Sequence, residues 1–165
     1  MSDLNIVLIG MPGSGKSVLG RLLAARLGMD FVDTDTLVEE ASGLGIAEIF
    51  AQQGEAEFRR LESEQARLCA ARRGLVVATG GGMIINPNNT ALLKKHGRLY
   101  YLRRELSRLA RQGRPLSSSS AALAELFRQR EPLYLAAADC LIDNNADLEA
   151  ALQKIIADYH ENTAD

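Results

Sequence analysis

The stretch GMPGSGKS at positions 10–17 constrains this chain more than any other feature of its sequence. It fits the pattern G-x-x-x-x-G-K-[ST], follows an apolar run at 4–9 and precedes a segment of helical periodicity at 15–27. The glycines let successive backbone N–H groups point into one concavity, and the following helix directs its N-terminus at the same place. A loop of this kind between a strand and a helix binds the phosphates of a nucleotide.

This phosphate loop predicts both a nucleotide site and the type of nucleotide. Lys16 is expected to reach the β- and γ-phosphates, and the Ser17 hydroxyl is expected to bind Mg²⁺. The chain lacks the N/T-K-x-D motif of guanine-binding proteins, which favours ATP. One such loop in a chain of 165 residues favours a small kinase over a motor or a ring ATPase. The predicted nucleotide-binding residues of the loop are Gly13, Ser14, Gly15, Lys16, Ser17 and Val18.

Apolar runs alternate with helical patterns along the chain. The runs at 4–9, 31–32, 75–79, 98–102 and 140–142 predict strands. Helices are predicted near 15–27, 35–53, 55–72, 88–96, 104–112, 121–137 and 147–160. This alternation predicts an α/β fold with a mostly parallel sheet and helices on both faces. The length suits a single domain over 1–165, and no repeat or second-domain boundary is visible.

Composition excludes several classes of function. The net charge of −2 argues against a general nucleic-acid binder. No apolar run reaches the roughly 18–20 residues that span a bilayer, and the N-terminus lacks a signal-peptide pattern, so we expect a cytoplasmic protein with no membrane partner. Cys69 and Cys140 are expected to be free, buried thiols, and His96 and His160 stand apart from any metal-site spacing. No exposed apolar stripe is evident, which favours a monomer.

The carboxylate that helps to hold Mg²⁺ is expected at a strand end near the phosphate loop. The strand at 75–79 ends in glycines, which leaves Asp33 and Asp143 as candidates. Asp33 is preferred, acting through water, because it follows the first helix closely. Asp35 lies two residues later, so on an extended segment both carboxylates face one cleft. The alternative for Asp35 is an N-cap of the next helix.

An arginine-rich stretch lies at positions 98–130. Residues 98–130 contain eight arginines and no lysine, and a planar guanidinium suits phosphate and carboxylate recognition. Within it, the segment near 110–122 holds RQGRPLSSSS. One interpretation is a mobile lid that carries arginine over a bound phosphate, and the other is a plain linker.

Taken together, these motifs resemble the shikimate kinase family, in the order of that family and over most of the chain. The resemblance is carried by GMPGSGKS (10–17), DTD (33–35), IAEIFAQQGEAEFRRLE (46–62), TGGG (79–82), RPL (114–116) and REPLY (130–134). It implies a three-layer α/β/α fold with a five-stranded parallel sheet of the nucleoside monophosphate kinase type. It also implies transfer of the ATP γ-phosphate to the 3-hydroxyl of shikimate, in chorismate and aromatic amino-acid biosynthesis.

The same resemblance implies roles for the acceptor-site residues. Asp35 would bind the ring hydroxyls and act as the base, and Arg59 and Arg130 would clamp the shikimate carboxylate. A substrate-binding helical region is expected near 34–62. The glycines that would line the substrate site are Gly80, Gly81 and Gly82. A bidentate guanidinium supplies both charge and geometry for a carboxylate, which agrees with this assignment.

Several of these assignments have structural alternatives. Arg59 could instead form a surface ion pair with Glu62, three residues on. Arg130 could be a solvated arginine ahead of a proline, and the glycines could be a bare turn. The resemblance places Arg114 on the lid at the transferring phosphoryl group, with a solvated loop arginine as its alternative. The lid region is shorter than usual for the family, so Arg111 could stack on adenine or remain solvated.

Two other functions compete with shikimate phosphorylation. Another small metabolite kinase, such as one for gluconate, is disfavoured by the joint presence of FRRLE, TGGG and REPLY, which build a carboxylic-acid pocket. A nucleotide-binding module that has lost catalysis predicts damage to its chemical residues. Lys16, Ser17, Asp33, Asp35 and Arg114 are all intact.

Overall fold

The computed structural model describes residues 4–109, 120–145 and 147–163. Its strands are β1 (Asn5–Ile9), β2 (Asp30–Asp33), β3 (Leu75–Ala78), β4 (Gly97–Arg103) and β5 (Cys140–Asp143). Its helices are α1 (Lys16–Leu27), α2 (Thr34–Ser42), α3 (Ile46–Gln53), α4 (Glu55–Ala70), α5 (Pro87–Lys95), α6 (Ser120–Ala137) and α7 (Leu148–Thr163). Short 3₁₀ turns occupy Met83–Ile85 and Leu106–Arg108.

The five strands form one parallel sheet in the order β2-β3-β1-β4-β5. The five residues of β1 are all buried, as expected for the central strand of a sheet covered on both faces. Val7 and Ile9 pack towards α4, α5 and α6, whereas Ile6 and Leu8 pack towards α1 and α7. The predicted three-layer fold with a five-stranded parallel sheet is therefore confirmed.

The sheet order determines where a site can form. Because all strands are parallel, their carboxyl ends meet at one edge, and β1 lies there between β3 and β4. The phosphate loop follows β1, the glycine run follows β3 and Asp33 ends β2. The helices α2, α3 and α4 lie beside this edge and have a small hydrophobic cluster of their own, centred on Val38, Ile49 and Phe58.

Two predicted helices differ from the structure. The helix predicted over 35–53 is divided into α2 and α3, because Gly43 ends α2 with a φ of 73°. Of the helix predicted over 104–112, the described part contains only the 3₁₀ turn at Leu106–Arg108. Its start is diverted because the backbone N–H of Glu105 donates to the side chain of Asn145.

Two further expectations concern the thiols and the membrane. Both thiols are free, as predicted, but only Cys69 is buried as expected, whereas Cys140 is half-buried. Within the described ranges, no helix combines the length and the apolar character that crossing a bilayer requires.

Candidate active site

A cavity of about 430 Å³ opens at the carboxyl edge of the sheet. On one side it is lined by phosphate-loop residues, namely Gly13, Gly15, Lys16, Ser17 and Val18. On the other side it is lined by the predicted acceptor residues Asp35, Arg59, Gly80, Gly81, Gly82 and Arg130. Asp33 also lines it. The fold thus brings together residues that are more than 110 positions apart in the sequence. Arg111 and Arg114 lie outside the described residues.

The phosphate loop has the geometry of an anion site. Gly15 adopts a φ of 96°, and a β-carbon there would lie 2.8 Å from Nδ2 of Asn144, so only glycine fits. Helix α1 begins at the next residue and directs its N-terminus into the cavity. The Lys16 ammonium, with the side chain largely buried, donates to the carbonyls of Gly10 at 2.7 Å and Met11 at 2.9 Å.

Ser14 differs from its neighbours in the loop. Its backbone N–H donates to the Met11 carbonyl, and its own carbonyl accepts from Asn144 Nδ2 at 2.8 Å. Ser14 is buried and does not line the cavity, so its contacts shape the loop from behind.

Ser17 and Asp33 form a pair of oxygen ligands at the start of α1. The Ser17 hydroxyl donates to Asp33 Oδ2 at 2.5 Å. Asp33 Oδ1 accepts from the backbone N–H groups of Asp35 at 2.9 Å and Thr36 at 3.4 Å, so it caps α2. The rival candidate Asp143 is exposed at the end of β5 and caps a turn by accepting from the backbone N–H of Asn145.

Asp33 and Asp35 both line the cavity, but for a different reason from the one expected. Helix α2 begins at Thr34, so Asp35 lies in its first turn and not on an extended segment. The N-cap role considered for Asp35 belongs to Asp33. Asp33 can cap α2 through one oxygen and still face Ser17 through the other.

The glycine run after β3 allows three charged side chains to approach the backbone. A β-carbon on Gly80 would lie 2.5 Å from Asp35 Oδ1, and one on Gly81 would lie 3.1 Å from Arg130 Nη1. On Gly82 it would overlap the guanidinium of Arg59. At Gly81 the Pro12 ring is closer still, at 2.8 Å, so the three glycines are more than a bare turn because each one makes room for side chains of the cavity.

The two acceptor-site arginines are held in different ways. Arg59 donates to Glu62 at 2.9 Å and to Glu55 at 3.3 Å, and its guanidinium lies over the Phe58 ring. The ion pair between Arg59 and Glu62 exists, but it is not a surface pair, since Glu62 is only 1% exposed. Arg130 is 5% exposed and has no carboxylate partner in the described part of the chain. The charge of Glu62 acts on Arg130 from beyond ion-pair distance, and a buried guanidinium that has no direct ion pair is suited to an anionic ligand.

Glu62 is the buried acid at the centre of this cluster. Its Oε1 accepts from Arg59, whereas Oε2 has no hydrogen-bond partner among the described residues. Burial raises the pKa of the Glu62 carboxyl, and the charge of nearby Asp35 raises it further, while Arg59 and Arg130 act in the opposite direction.

Sequence reasoning did not identify several residues of the site. An apolar wall of the cavity is formed by Ile46, Phe50 and Phe58. In the sequence, their spacing along α3 and α4 indicated only that they belong to the buried face of a helix. Arg104 lines the cavity beside the phosphate loop, although in the sequence it is one arginine among many. Tyr134 is buried and donates to the Gly81 carbonyl at 2.5 Å, and only the tertiary structure reveals this contact.

Three comparisons relate the chain to known proteins. A family model described as shikimate kinase matches residues 12–160. The shikimate kinase of Nitrosomonas europaea is 43% identical over 161 residues, which cover 92% of this chain and 76% of that protein. The shikimate kinase of Moorella thermoacetica is 45% identical over 159 residues, which cover 92% and 91%.

Solved structures show the same relationship. The shikimate kinase from Acinetobacter baumannii in complex with shikimate superposes with a TM-score of 0.92 at 34% identity, covering 99% of this chain and 97% of the other. A gluconokinase from Sinorhizobium meliloti superposes with a TM-score of 0.57 at 17% identity, which shows a shared fold alone.

Proposed function

The chain belongs to the shikimate kinase family, and on that premise we propose how the residues of its cavity perform the reaction. It is an ATP-dependent kinase that transfers the γ-phosphate of ATP to the 3-hydroxyl of shikimate, giving shikimate 3-phosphate and ADP. One observation carries the residue assignment: the phosphate loop, the Asp35 carboxylate and the guanidinium groups of Arg59 and Arg130 line the same cavity of about 430 Å³.

Binding of the acceptor is assigned to Arg130 and Arg59. Arg130 is buried and forms no direct ion pair with a carboxylate of the described residues, so a ligand carboxylate would supply a direct counter-charge. Arg59 is oriented by Glu62 and Glu55, which leaves the face of its guanidinium directed over Phe58 and Gly82. The apolar wall of Ile46, Phe50 and Phe58 suits the carbon ring of the acceptor.

Asp35 is assigned as the base that takes the proton of the attacking hydroxyl. It lies at the start of α2, against Gly80, and lines the cavity together with the arginines and the phosphate loop. The role of such a carboxylate is to hold the hydroxyl in line with the γ-phosphate and accept its proton. The glycine run lets the substrate ring approach the backbone without an intervening side chain.

The donor site consists of the phosphate loop, the N-terminus of α1 and Lys16. Lys16 Nζ rests on the carbonyls of Gly10 and Met11, within its own loop. We propose that its ammonium turns from these carbonyls towards the β- and γ-phosphates when ATP binds. There it offsets the negative charge that the phosphoryl group carries during transfer.

Ser17 and Asp33 are the residues that would hold Mg²⁺. The donor set fits, because a hydroxyl oxygen and a carboxylate oxygen are the hard ligands that this ion prefers. The Ser17 hydroxyl donates its hydrogen bond to Asp33 Oδ2. When bound, the ion neutralises charge on the β- and γ-phosphates. Asp33 orients the Ser17 oxygen towards the cavity and would bind through ordered water.

Several expectations remain proposals. Arg114 is assigned to the transferring phosphoryl group and Arg111 to adenine, on a lid near 110–122. The chain is expected to act as a single domain, as a monomer and in the cytoplasm. Light scattering coupled to size-exclusion chromatography measures the molar mass in solution and so tests whether the protein is a monomer. The role of Arg114 is tested by the kinetics of Arg114→Ala, in which we expect kcat to fall about 10³-fold while the affinity for shikimate is retained.

The acceptor is tested by a coupled ADP-release assay with shikimate, gluconate and nucleoside monophosphates in parallel. We expect ADP release with shikimate and none above background with the others. Release with gluconate and none with shikimate would instead assign the site to the chemistry of the gluconokinase that shares its fold.

A further inference from the structure

We infer that Arg104 belongs to the nucleotide site, where it supplies a second cation for the phosphates and holds the phosphate loop in place. Arg104 is the first residue after β4, and it lines the cavity. This inference rests on the proposed binding of ATP to the phosphate loop. It adds a residue that the nucleotide-binding motif does not contain.

The guanidinium of Arg104 lies directly against the phosphate loop. Its Nη1 donates to the Gly13 carbonyl at 3.3 Å, and its Nε donates to the Asn144 carbonyl at 3.0 Å. Its Nη2 lies 3.3 Å from the position of a β-carbon on Gly15, at the residue before α1. The guanidinium is therefore adjacent to the N-terminus of α1, where backbone N–H groups attract anions.

Asn144 strengthens this arrangement from the other side. It is 3% exposed, its Nδ2 donates to the Ser14 carbonyl at 2.8 Å, and its backbone N–H donates to the Arg103 carbonyl at 2.9 Å. Arg104 and Asn144 thus connect the ends of β4 and β5 to the loop after β1. This network restrains the phosphate loop through residues that are 91 and 130 positions away in the sequence.

The charge of Arg104 has no ion pair in the part of the protein that the structure describes. In the described ranges no carboxylate lies within ion-pair distance of it, whereas the neighbouring Arg103 pairs with Glu131 at 3.0 Å. Carbonyl dipoles orient the guanidinium without neutralising it. A cation beside Lys16 and a helix N-terminus is favoured only when an anion binds there, and the nucleotide phosphates are that anion.

The proposal is tested with ADP as the probe, in the absence of shikimate. Arg104→Met removes the charge and the hydrogen bonds but keeps a similar apolar stem, and Arg104→Lys keeps the charge without the fork. Arg67→Met is the matched control, because Arg67 is exposed on α4 and pairs only with Glu64 in the described structure. Calorimetry measures the Kd for ADP at low and high salt, and steady-state kinetics measure KM for both substrates.

We expect the Kd for ADP to rise about tenfold or more in Arg104→Met, since a hydrogen bond to a charged group has that worth. The Kd of Arg104→Lys for ADP should lie between those of Arg104→Met and the wild type. In Arg104→Met the Kd for ADP should depend less on salt concentration, and the KM for shikimate should stay within about twofold of the wild-type value. An unchanged Kd for ADP, or equal losses for both substrates, would overturn the inference.

Two provisions keep the test decisive. If Arg104→Met does not fold, wild-type protein labelled with ¹⁵N-arginine replaces it, with the Arg104 Nε–H resonance assigned from Arg104→Lys. That resonance should shift on addition of ADP and not of shikimate, and no shift with ADP would count against the inference. Shikimate turnover by the wild type is measured separately, so failure of the kinase assignment is distinguishable from failure of the Arg104 assignment.

Discussion

The substitution Gly82→Ala tests whether the glycine run exists to make room for Arg59. At Gly82 the backbone has a φ of −98° and a ψ of 5°, which alanine adopts without strain. The added β-carbon would lie 2.6 Å from Cζ and 2.7 Å from Nη2 of Arg59, closer than the 3.0 Å below which such contacts essentially do not occur. Since this group is the end of a flexible side chain, we expect it to move while the fold is retained.

The size of the effect follows from the contact that Arg59 would lose. A hydrogen bond to a charged group is worth about 1.5–3 kcal/mol, which corresponds to a rise of about 10- to 100-fold in the Kd for shikimate. Binding of ADP should change by less than about twofold, because Arg59 lies on the acceptor side of the cavity. Calorimetry with each ligand measures both quantities.

A double-mutant cycle with Arg59→Met makes the reasoning refutable. If Gly82→Ala acts by displacing Arg59, the double variant should bind shikimate no more weakly than Arg59→Met alone. Gly45→Ala is the matched control, since its φ is −68° and the nearest atom to a β-carbon there is at 3.4 Å. Additive losses in the double variant, or wild-type shikimate affinity in Gly82→Ala, would refute this account.

Three further predictions concern the acids of the site. Asp35→Asn should lower kcat by about 10²- to 10⁴-fold with ADP binding retained, and near-normal turnover would exclude it as the base. Asp33→Asn should raise the Mg²⁺ concentration needed for ADP binding and for activity without lowering the melting temperature, because asparagine caps a helix equally well; an unchanged Mg²⁺ titration would contradict the metal role. Burial raises the pKa of Glu62, so folding takes up a proton there, and the free energy of unfolding should fall as pH rises above about 4.5. In Glu62→Gln the free energy of unfolding, measured by urea titration at several pH values, should fall less steeply with pH. An identical dependence on pH would disprove a raised pKa for Glu62.

Much of the fold follows from local patterns in the sequence. The strands and most helices are visible because apolar runs and helical stripes are properties of neighbouring residues. The helix expected near 104–112 was wrong over its described part, since Arg104 and Glu105 bond to residues after β5, about 40 positions later. Helix propensity depends on neighbouring residues and therefore does not predict a hydrogen bond to a residue so far away in the sequence.

The donor half of the site was predictable for a related reason. The phosphate loop is continuous in sequence, so its glycines, Lys16 and Ser17 define their own chemistry before the chain folds. The acceptor half is assembled from α2, α4, α6 and the glycine run, and its members became recognisable only through a family resemblance.

The sequence by itself thus determined the phosphate loop and the parallel α/β architecture, and the family resemblance indicated the acceptor-site charges. Only the tertiary structure decided how those charges are held: Glu62 is buried beneath Arg59, Arg130 is buried with no direct ion pair among the described residues, and Arg104 lies against the phosphate loop. Burial and ion pairing depend on distances between strands and helices far apart in the chain. They are therefore set when the sheet and its helices pack, and no local pattern encodes them.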